Sequence, residues 1–280
     1  MNVDARLADR PVFVTGADGF VGSHLTERLI DAGADVHIFV RATSSGELNN
    51  IRHQKENLTV HRGDLRDPHS VKQALSTLQG HSDILIFHLA AQAHVGESWD
   101  RPYETIDTNV KGTLNLLQAV VDLDLDVSKF DTAGTSEEYG NVKDEMAAKH
   151  EFDDNDRVLL SERSPVNPTS IYATSKLAAD FLTMNYHDAY DVPTVTTRMF
   201  NNYGPRQNPR YITGTITRVR NNEDNKPPMI TMASPLFISA AAPDASAIGS
   251  IPKTIAMVVI RIGRSLAWFA WIKAVLIFSP

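Results

Sequence analysis

The stretch T-G-A-D-G-F-V-G-S-H-L, at residues 15–25, constrains the fold of this chain more than any other segment. A short apolar run, P-V-F-V at residues 11–14, precedes it. It also opens a segment, residues 20–32, whose apolar side chains recur at helical spacing. The order of strand, glycine turn and helix predicts a dinucleotide-binding loop, which a glycine cluster without that context would not.

The three glycines of this stretch have separate expected roles. Gly16 permits a tight turn, Gly19 lets the backbone approach a pyrophosphate, and Gly22 lets the helix pack closely on the strand. The N–H groups of Phe20 and Val21, at the start of the helix, face the phosphates together with the positive end of the helix dipole. The spacing is G-x-x-G-x-x-G, and an ordinary strand-to-helix turn is the alternative interpretation.

The composition is that of an ordinary globular protein, with 280 residues, 42% apolar and 22% charged. The absence of cysteine excludes disulfides and thiolate metal sites, and we expect no bound metal. The N-terminus lacks the apolar core of a secretory signal, so we expect a cytoplasmic protein. Residues 1–210 carry 20 Lys+Arg and 31 Asp+Glu, a net charge of −11, which argues against a nucleic acid as partner.

Strand-like and helix-like segments alternate over most of the chain. Alternation at these lengths predicts β-α-β units with right-handed crossovers, and therefore an α/β fold with a doubly wound parallel sheet of the Rossmann-like type. Ligands of such sheets bind at the carboxyl ends of the strands. The predicted strands are residues 12–15, 35–40, 58–62, 84–89, 129–135 and 194–199, and the predicted helices are residues 20–32, 68–78, 103–123 and 170–190.

Two charged residues after predicted strands bear on the choice of dinucleotide. Arg41 ends the second strand, where an NAD-binding fold commonly has an acidic residue for the adenosine ribose. An arginine favours a 2′-phosphate instead, so we expect NADP, with NAD as the alternative. A solvated arginine would also fit this position. Asp64, after the third strand, could meet the adenine amino group or serve as a turn or cap residue.

The motif H-L-A-A-Q follows the fourth predicted strand at residues 88–92. Leu89, Ala90 and Ala91 therefore fall at the carboxyl edge of the sheet, and the two small alanines would let the backbone approach the cofactor. We expect these three residues to line the cofactor site.

Tyr172 and Lys176 are the first candidates for chemistry. They lie four residues apart on a predicted helix and therefore share one face. The lysine ammonium favours the deprotonated phenol, which makes the tyrosine a workable base for a hydroxyl proton. Such a pair is common by chance, but here it comes after a glycine-loop β-α-β region at a suitable distance.

The fifth predicted strand ends in T-A-G-T-S-E-E-Y-G, at residues 132–140. Thr135, Ser136 and Glu137 would emerge at the same edge as the dinucleotide. A threonine hydroxyl can bind a substrate hydroxyl or ketone, and a carboxylate near a nicotinamide can remove a proton α to a ketone. The alternative is that Glu137 and Glu138 are exposed loop acids, as most acidic residues are.

Taken together, residues 11–212 resemble an extended short-chain dehydrogenase/reductase of the nucleotide-sugar epimerase/dehydratase family. The resemblance is carried by the glycine loop and by six further motifs: G-D-L-R-D, H-L-A-A-Q, N-V-K-G-T-L-N-L-L, T-S-E-E-Y-G, Y-A-T-S-K and R-M-F-N-N-Y-G-P-R-Q. Their combination is specific for the superfamily.

The resemblance implies a role for each matching residue. The glycines bind the pyrophosphate, Asp64 and Leu65 border the adenine, and Lys176 also holds the nicotinamide ribose. Tyr172 and Lys176 form the catalytic pair, and Thr135 holds the sugar 4-hydroxyl. The residues implied to contact the nucleotide sugar are Ser136, Asn201 and Arg206. The family often dimerises through two long helices, here residues 103–123 and 170–190, which predicts a homodimer.

Within the family, Thr135, Ser136 and Glu137 resemble the catalytic set of GDP-mannose 4,6-dehydratases. That resemblance implies transient oxidation at C4, removal of the C5 proton by Glu137, loss of water from C6 and return of the hydride to C6. The motif N-Y-G-P-R-Q is instead typical of dTDP-glucose dehydratases, epimerases and UDP-glucuronate decarboxylases. A 4-epimerase or a decarboxylase is therefore the alternative activity.

The resemblance ends near residue 212, so we predict a catalytic domain at residues 1–212 and an atypical tail at residues 213–280. The small substrate lobe of the family is not recognisable in that tail and is expected to be truncated or replaced. Residues 254–279 are long enough for a membrane helix, but Arg261, Arg264 and Lys273 interrupt them. We therefore favour an out-of-frame or truncated tail. The alternative of another class is a non-catalytic dinucleotide-binding remnant that associates with a membrane.

Overall fold

The computed structural model describes residues 4–42, 47–141, 150–154, 158–202 and 204–208. The chain divides into two compact units, residues 1–200 and residues 201–280. The predicted tail, residues 213–280, and the candidate membrane helix within it lie outside the described residues. Among the residues that are described, no helix is both long enough and apolar enough to cross a membrane.

The first unit is built on a six-stranded sheet in which every pairing is parallel, and this confirms the predicted doubly wound fold. The strands are β1 Pro11–Thr15, β2 Asp35–Arg41, β3 Thr59–Gly63, β4 Ile84–His88, β5 Val127–Ala133 and β8 Thr194–Thr197, and a separate antiparallel pair consists of β6 Glu151–Phe152 and β7 Val158–Leu159. The strand order in the parallel sheet is β3-β2-β1-β4-β5-β8.

The described ranges contain six α-helices. A π-helical turn at Asp107–Lys111 joins the fourth helix to the fifth, and short 3-10 turns lie at Arg52–Asn57 and Ser136–Glu138. The helices are α1 Phe20–Asp31, α2 Pro68–Ser76, α3 Val95–Asp100, α4 Pro102–Ile106, α5 Gly112–Asp122 and α6 Ile171–Tyr190.

The centre of the sheet is apolar because it is covered on both sides. Every residue of β1 and β4 is buried, as expected for central strands of a parallel sheet. Between the sheet and helices α2 and α5, the core includes Phe13, Phe39, Leu75, Leu116 and Phe130. This packing holds the carboxyl ends of β1, β4 and β5 side by side at one edge.

The structure differs from the sequence-based prediction in the end of one strand, in the continuity of one helix and in one additional helix. The strand predicted at residues 129–135 ends at Ala133, because the chain turns into a 3-10 turn capped by the Thr135 side chain. The helix predicted at residues 103–123 is interrupted by the π turn. Helix α3 was not predicted, and His94 is its N-cap, since its Nδ1 accepts the Glu97 N–H at 3.1 Å.

Candidate active site

The order of the strands reverses between β1 and β4, which is where a doubly wound sheet opens a crevice for a ligand. Gly16 directly follows β1 with φ +72°, a conformation that suits glycine. A Cβ on Gly16 would lie 2.7 Å from the Ala90 nitrogen and 2.9 Å from the Leu89 carbonyl carbon. The glycine turn and the segment after β4 therefore approach each other as closely as backbones can.

Close packing also explains why the other two positions of the loop are glycines. A Cβ on Gly22 would lie 2.1 Å from the Gly16 carbonyl oxygen, so helix α1 packs directly onto the turn. Gly19 is the N-cap of α1 and leaves the first helical N–H groups, at Phe20 and Val21, without a side-chain cap. Uncapped N–H groups beside a glycine backbone fit a pyrophosphate, so the loop suits the dinucleotide expected there.

Asp18, inside the glycine loop, has a role that the sequence did not indicate. Its carboxylate accepts the backbone N–H groups of three consecutive residues, Asn49, Asn50 and Ile51, at 2.7–3.3 Å. In return, the Asn50 side chain donates to the Asp18 carbonyl oxygen at 2.8 Å. The loop after β1 is thereby tied to the segment after β2.

Arg41 and Asp64 both have protein partners. The exposed Arg41 guanidinium lies 3.3 Å from Glu104 Oε1. Asp64 accepts three hydrogen bonds from the Arg66 side chain, and these hydrogen bonds lower the pKa of Asp64 to about 2. Leu65 is buried, and its carbonyl accepts the Asn115 amide at 2.7 Å.

His88, at the end of β4, is buried between two hydroxyl groups. Its Nδ1 lies 2.7 Å from Thr15 Oγ1, and its Nε2 lies 2.9 Å from Thr113 Oγ1. Thr15 Oγ1 also accepts the Ala90 N–H at 3.1 Å. The hydrogen bond to Ala90 thus fixes the start of the segment after β4 at the carboxyl edge of the sheet. Leu89, Ala90 and Ala91 are all half-buried there.

Tyr172 and Lys176 lie on the first turns of α6, on one face as predicted. Ser170 caps this helix by accepting the Ala173 N–H at 3.0 Å. Tyr172 is half-buried, and Lys176 is buried. Burial lowers the pKa of Lys176 to about 8, although nearby carboxylates oppose the shift.

The start of α6 is held by Asn109 in the π turn. The Asn109 amide donates to Ser175 Oγ at 2.9 Å and to the Gln92 carbonyl at 3.1 Å, and its oxygen accepts the Gln92 N–H at 2.8 Å. Ser175 in turn donates to the Tyr172 carbonyl at 2.7 Å. One buried amide therefore joins the segment after β4 to the helix that carries Tyr172.

Thr135, Ser136 and Glu137 form the turn after β5, and this turn packs against α6. Thr135 is buried, and its hydroxyl accepts the Glu137 N–H at 3.3 Å. The Ser136 N–H donates to the Met199 carbonyl at 2.8 Å. Glu137 is half-buried, and this burial raises the pKa of its carboxyl group.

The alternative that Glu137 and Glu138 are exposed loop acids is wrong for both. Glu138 is fully buried and pairs with Arg198, which also pairs with Asp180 of α6. No local pattern signals this buried cluster, because adjacent glutamates in a loop are usually solvent-facing residues.

Asn201 and Arg206 belong to the second unit. Asn201 is exposed, and Arg206 has φ 68° in a turn closed by the Gln207 N–H and the Gly204 carbonyl at 3.3 Å. Their assignment to the nucleotide sugar stays a prediction. Across the described ranges, no cluster of three His, Asp or Glu side chains is arranged to hold a metal ion.

The fold, the glycine loop and the Tyr-Lys helix define a short-chain dehydrogenase/reductase of the nucleotide-sugar epimerase/dehydratase class. The sequence model of the family described as GDP-mannose 4,6 dehydratase matches residues 13–233. The chain belongs to this family, which confirms the resemblance seen in its motifs.

Individual relatives agree with this assignment. GDP-mannose 4,6 dehydratase 1 of Arabidopsis thaliana is 33% identical over 216 residues, which are 73% of this chain and 55% of that protein. The dTDP-glucose 4,6-dehydratase DesIV of Streptomyces venezuelae, solved with NAD bound, has a TM-score of 0.64 at 29% identity, covering 76% of this chain and 62% of that chain.

UDP-glucose 4-epimerase of Thermotoga maritima, solved with UDP-glucose, has a TM-score of 0.61 at 28% identity and covers 74% of this chain and 61% of that chain. The chain thus spans little more than half the length of the Arabidopsis relative and under two thirds of these two structures.

Proposed function

We propose that this chain acts as a nucleotide-sugar 4,6-dehydratase of the GDP-mannose type, with NADP as its dinucleotide. The observation that carries the proposal is Glu137, a half-buried carboxyl group of raised pKa in a turn that packs against the helix of Tyr172 and Lys176. A 4-epimerase has no need of a carboxylate base there, whereas a dehydratase needs one to remove the C5 proton.

Tyr172 is the proposed base for the sugar 4-hydroxyl. Lys176 lies one turn further along the same face, and its ammonium favours the phenolate that accepts the proton. The Thr135 hydroxyl is proposed to bind the sugar O4 and orient it. Because Asn109 fixes the first turns of α6 through Ser175, Tyr172 is held in place before the sugar binds.

Glu137 is proposed to take the C5 proton once C4 is a ketone, and to return it to C5 after the hydroxyl has left C6. Burial makes the carboxylate a stronger base than it would be in water, as its raised pKa indicates. The sugar loses one water in total, made of the O4 proton and the C6 hydroxyl.

The glycine loop and the uncapped start of α1 would hold the pyrophosphate of the dinucleotide. When bound, the dinucleotide supplies a hydride acceptor for C4 and a hydride donor for C6, so no external oxidant is needed. Arg41 is proposed to bind the 2′-phosphate of NADP, exchanging its long contact with Glu104 for charge-assisted hydrogen bonds. NAD is the alternative.

The activity is tested by incubating the chain separately with GDP-mannose, dTDP-glucose, UDP-glucose and UDP-glucuronate, each with NADP or NAD. Mass spectrometry of the sugar then identifies loss of water, loss of carbon dioxide or an unchanged mass, and chromatography separates an epimer. We expect loss of water from GDP-mannose with NADP, and a loss of dehydration on the order of 100-fold or more in Glu137→Gln.

Glu162→Gln is the matched control, because Glu162 is exposed in the loop after β7. Dehydration that survives Glu137→Gln would overturn the assignment of the base. An epimer or carbon dioxide as the sole product would favour the epimerase or decarboxylase. Saturable dinucleotide binding without turnover of any sugar would favour a non-catalytic remnant.

The cofactor preference has its own test. Arg41→Ala should weaken NADPH binding by about tenfold and leave NADH binding nearly unchanged, since it removes only groups that face a 2′-phosphate. Arg163→Ala, at an exposed position after β7, should change neither affinity. Equal losses for both dinucleotides would contradict the role given to Arg41.

A homodimer is part of the proposal. Tyr103, Leu114, Phe181 and Met184 expose apolar surface on α4, α5 and α6, with 86% of Tyr103 and 51% of Met184 accessible. A second copy of the same helices would cover them. Sedimentation should show a dimer that dissociates in Phe181→Glu, and a monomeric wild-type chain would contradict it. The cytoplasmic location and the absence of a nucleic acid partner stay predictions.

A further inference from the structure

Glu138 is fully buried although it directly follows the half-buried Glu137. Its side chain has 0% exposed surface, and its Oε2 accepts a hydrogen bond from Arg198 Nε at 2.8 Å. Arg198 also donates to Asp180 Oδ2 through Nη2 at 2.6 Å, and Asp180 is 3% exposed. The three side chains come from the turn after β5, the end of β8 and helix α6.

Glu138 closes the turn that carries Thr135 and Glu137. Its Oε1 accepts the Thr135 N–H at 2.9 Å, and the Thr135 carbonyl accepts the Glu138 N–H at 3.2 Å. The Thr135 side chain accepts the Glu138 N–H and the Glu138 side chain accepts the Thr135 N–H, so the turn has a reciprocal capping box. The backbone of the turn is therefore fixed by one carboxylate, and that carboxylate is fixed by Arg198.

The surroundings leave room for this carboxylate and for little else. A Cβ on Gly134 would lie 2.9 Å from Glu138 Oε1 and 3.2 Å from Arg198 Cγ. The Arg198 guanidinium also lies over the Tyr139 ring, 5.3 Å from its centroid. Gly134, before the turn, and Tyr139, after it, therefore both pack against the Glu138–Arg198 ion pair.

Stability alone does not account for the pair. Two carboxylates, Glu138 and Asp180, share one guanidinium, and buried ion pairs are often no more stable than apolar residues of similar volume. Burial raises the pKa of Glu138, which shows that ionising it there carries a cost. The buried Lys176, one helical turn before Asp180, is attracted by both carboxylates.

We propose that Glu138, held by Arg198, is a positioning residue that sets the orientation of Thr135 and Glu137 toward the sugar. The inference rests on the proposed function, because it assigns the C5 proton to Glu137. Its effect falls on the transfer of the C5 proton, since the turn and not the glycine loop depends on Glu138. Dinucleotide binding should therefore be independent of it.

The test measures the C5 proton apart from the hydride. The 4-keto-6-deoxy product is incubated with the full chain in deuterium oxide, and deuterium entering C5 is followed by mass spectrometry. Glu138→Leu should slow this exchange on the order of 100-fold, since a misplacement of about 1 Å has that effect. The affinity for NADPH should stay within about threefold, because the glycine loop does not depend on Glu138. Glu138→Gln keeps an acceptor for the Thr135 N–H and should recover about tenfold of the loss.

Amide hydrogen exchange of residues 134–138 is measured in the same proteins. The Thr135 amide should exchange slowly in the wild-type chain and at least about tenfold faster in Glu138→Leu, with α1 unchanged. Unchanged C5 exchange in a folded Glu138→Leu protein overturns the inference, as does a parallel loss of NADPH binding. Failure of the wild-type chain on every sugar refutes the proposed function instead, and the amide exchange still decides whether Glu138 holds the turn.

Discussion

His88 and Thr15 form a hydrogen bond in which Thr15 is the donor to the imidazole Nδ1. Thr113 gives its only hydroxyl proton to the Asn109 carbonyl at 2.7 Å, so it accepts from His88 Nε2–H. Burial lowers the pKa of His88, so the ring is neutral near pH 7, and its Nδ1, 2.7 Å from Thr15 Oγ1, accepts the Thr15 hydroxyl proton. Thr15 then uses a lone pair to accept the Ala90 N–H.

This arrangement predicts a loss of stability in acid. Burial lowers the pKa of His88 to about 3, so the stabilisation is complete above the ordinary pKa near 6.5 and is lost as the pH falls from there toward 3. Between pH 6.5 and pH 5 the contribution to the free energy of unfolding falls by about 2 kcal/mol. Urea unfolding at both pH values measures it. In His88→Gln, which keeps one donor and one acceptor, this part of the pH dependence should vanish, while His69→Gln, at an exposed site, should retain it.

For the buried Asp131 we expect the free energy of unfolding to depend on pH in the opposite direction. It is buried in β5, its Oδ1 accepts the Thr197 hydroxyl at 2.8 Å, and its Oδ2 has no hydrogen-bond partner in the described part of the chain. Burial raises the pKa of Asp131 to about 7, so its contribution to stability is complete below pH 3.8 and is lost as the pH rises through 7.

Asp131→Asn should therefore raise the free energy of unfolding at pH 8, by up to about 4 kcal/mol, and have the smallest effect near pH 4. Chemical unfolding at the two pH values measures the difference. Asp126→Asn, an exposed change just before the same strand, serves as control. Destabilisation by Asp131→Asn at pH 8 would show that the ionised carboxylate is needed for folding.

The glycine loop predicts two different outcomes for two similar substitutions. Gly22→Ala would place a Cβ 2.1 Å from the Gly16 carbonyl, so helix α1 must move, and we expect destabilisation of about 1–3 kcal/mol or more. Gly19→Ala brings its Cβ only to 3.1 Å from the same oxygen, so the fold should survive, while NADPH binding weakens because the pyrophosphate loses its close approach. Thermal unfolding and fluorescence titration separate the two effects. Equal stability of both variants would contradict the packing role of Gly22.

Substitution of Asp18 is expected to weaken cofactor binding although the three glycines of the loop are unchanged. Asp18→Ala leaves the N–H groups of Asn49, Asn50 and Ile51 without their acceptor, which frees the segment after β2 from the loop after β1. We expect NADPH and the fragment 2′,5′-ADP to bind about tenfold more weakly, with Asp18→Asn intermediate. Asp31→Ala, at the exposed end of α1, should bind both normally. Unaltered affinity for 2′,5′-ADP would mean that the hydrogen bonds between Asp18 and the segment after β2 do not affect binding of the adenosine part of the dinucleotide.

The features that the sequence predicted are those set by local chemistry. The strands, the glycine turn and the face shared by Tyr172 and Lys176 follow from periodicity and spacing, and the structure has them close to the expected residues. Glu138 could not be predicted, because its burial depends on Arg198, distant in sequence and brought to it by the pairing of β5 with β8. The same holds for Arg41, whose partner Glu104 lies on helix α4, far away in the sequence.

The π turn at Asp107–Lys111 places Asn109 where it reaches both Gln92 and Ser175. A π turn is one residue wider than an α turn. Removing a single residue from it would wind the run from α4 into α5 as a continuous α-helix, and the widened backbone turn that carries Asn109 would be lost. The Asn109 amide would then lose its position between Gln92 and Ser175, although both partners would still be present in the sequence. The number of residues in the π turn is therefore a requirement of the site in itself. A one-residue deletion could abolish the site even if every one of its functional residues were kept.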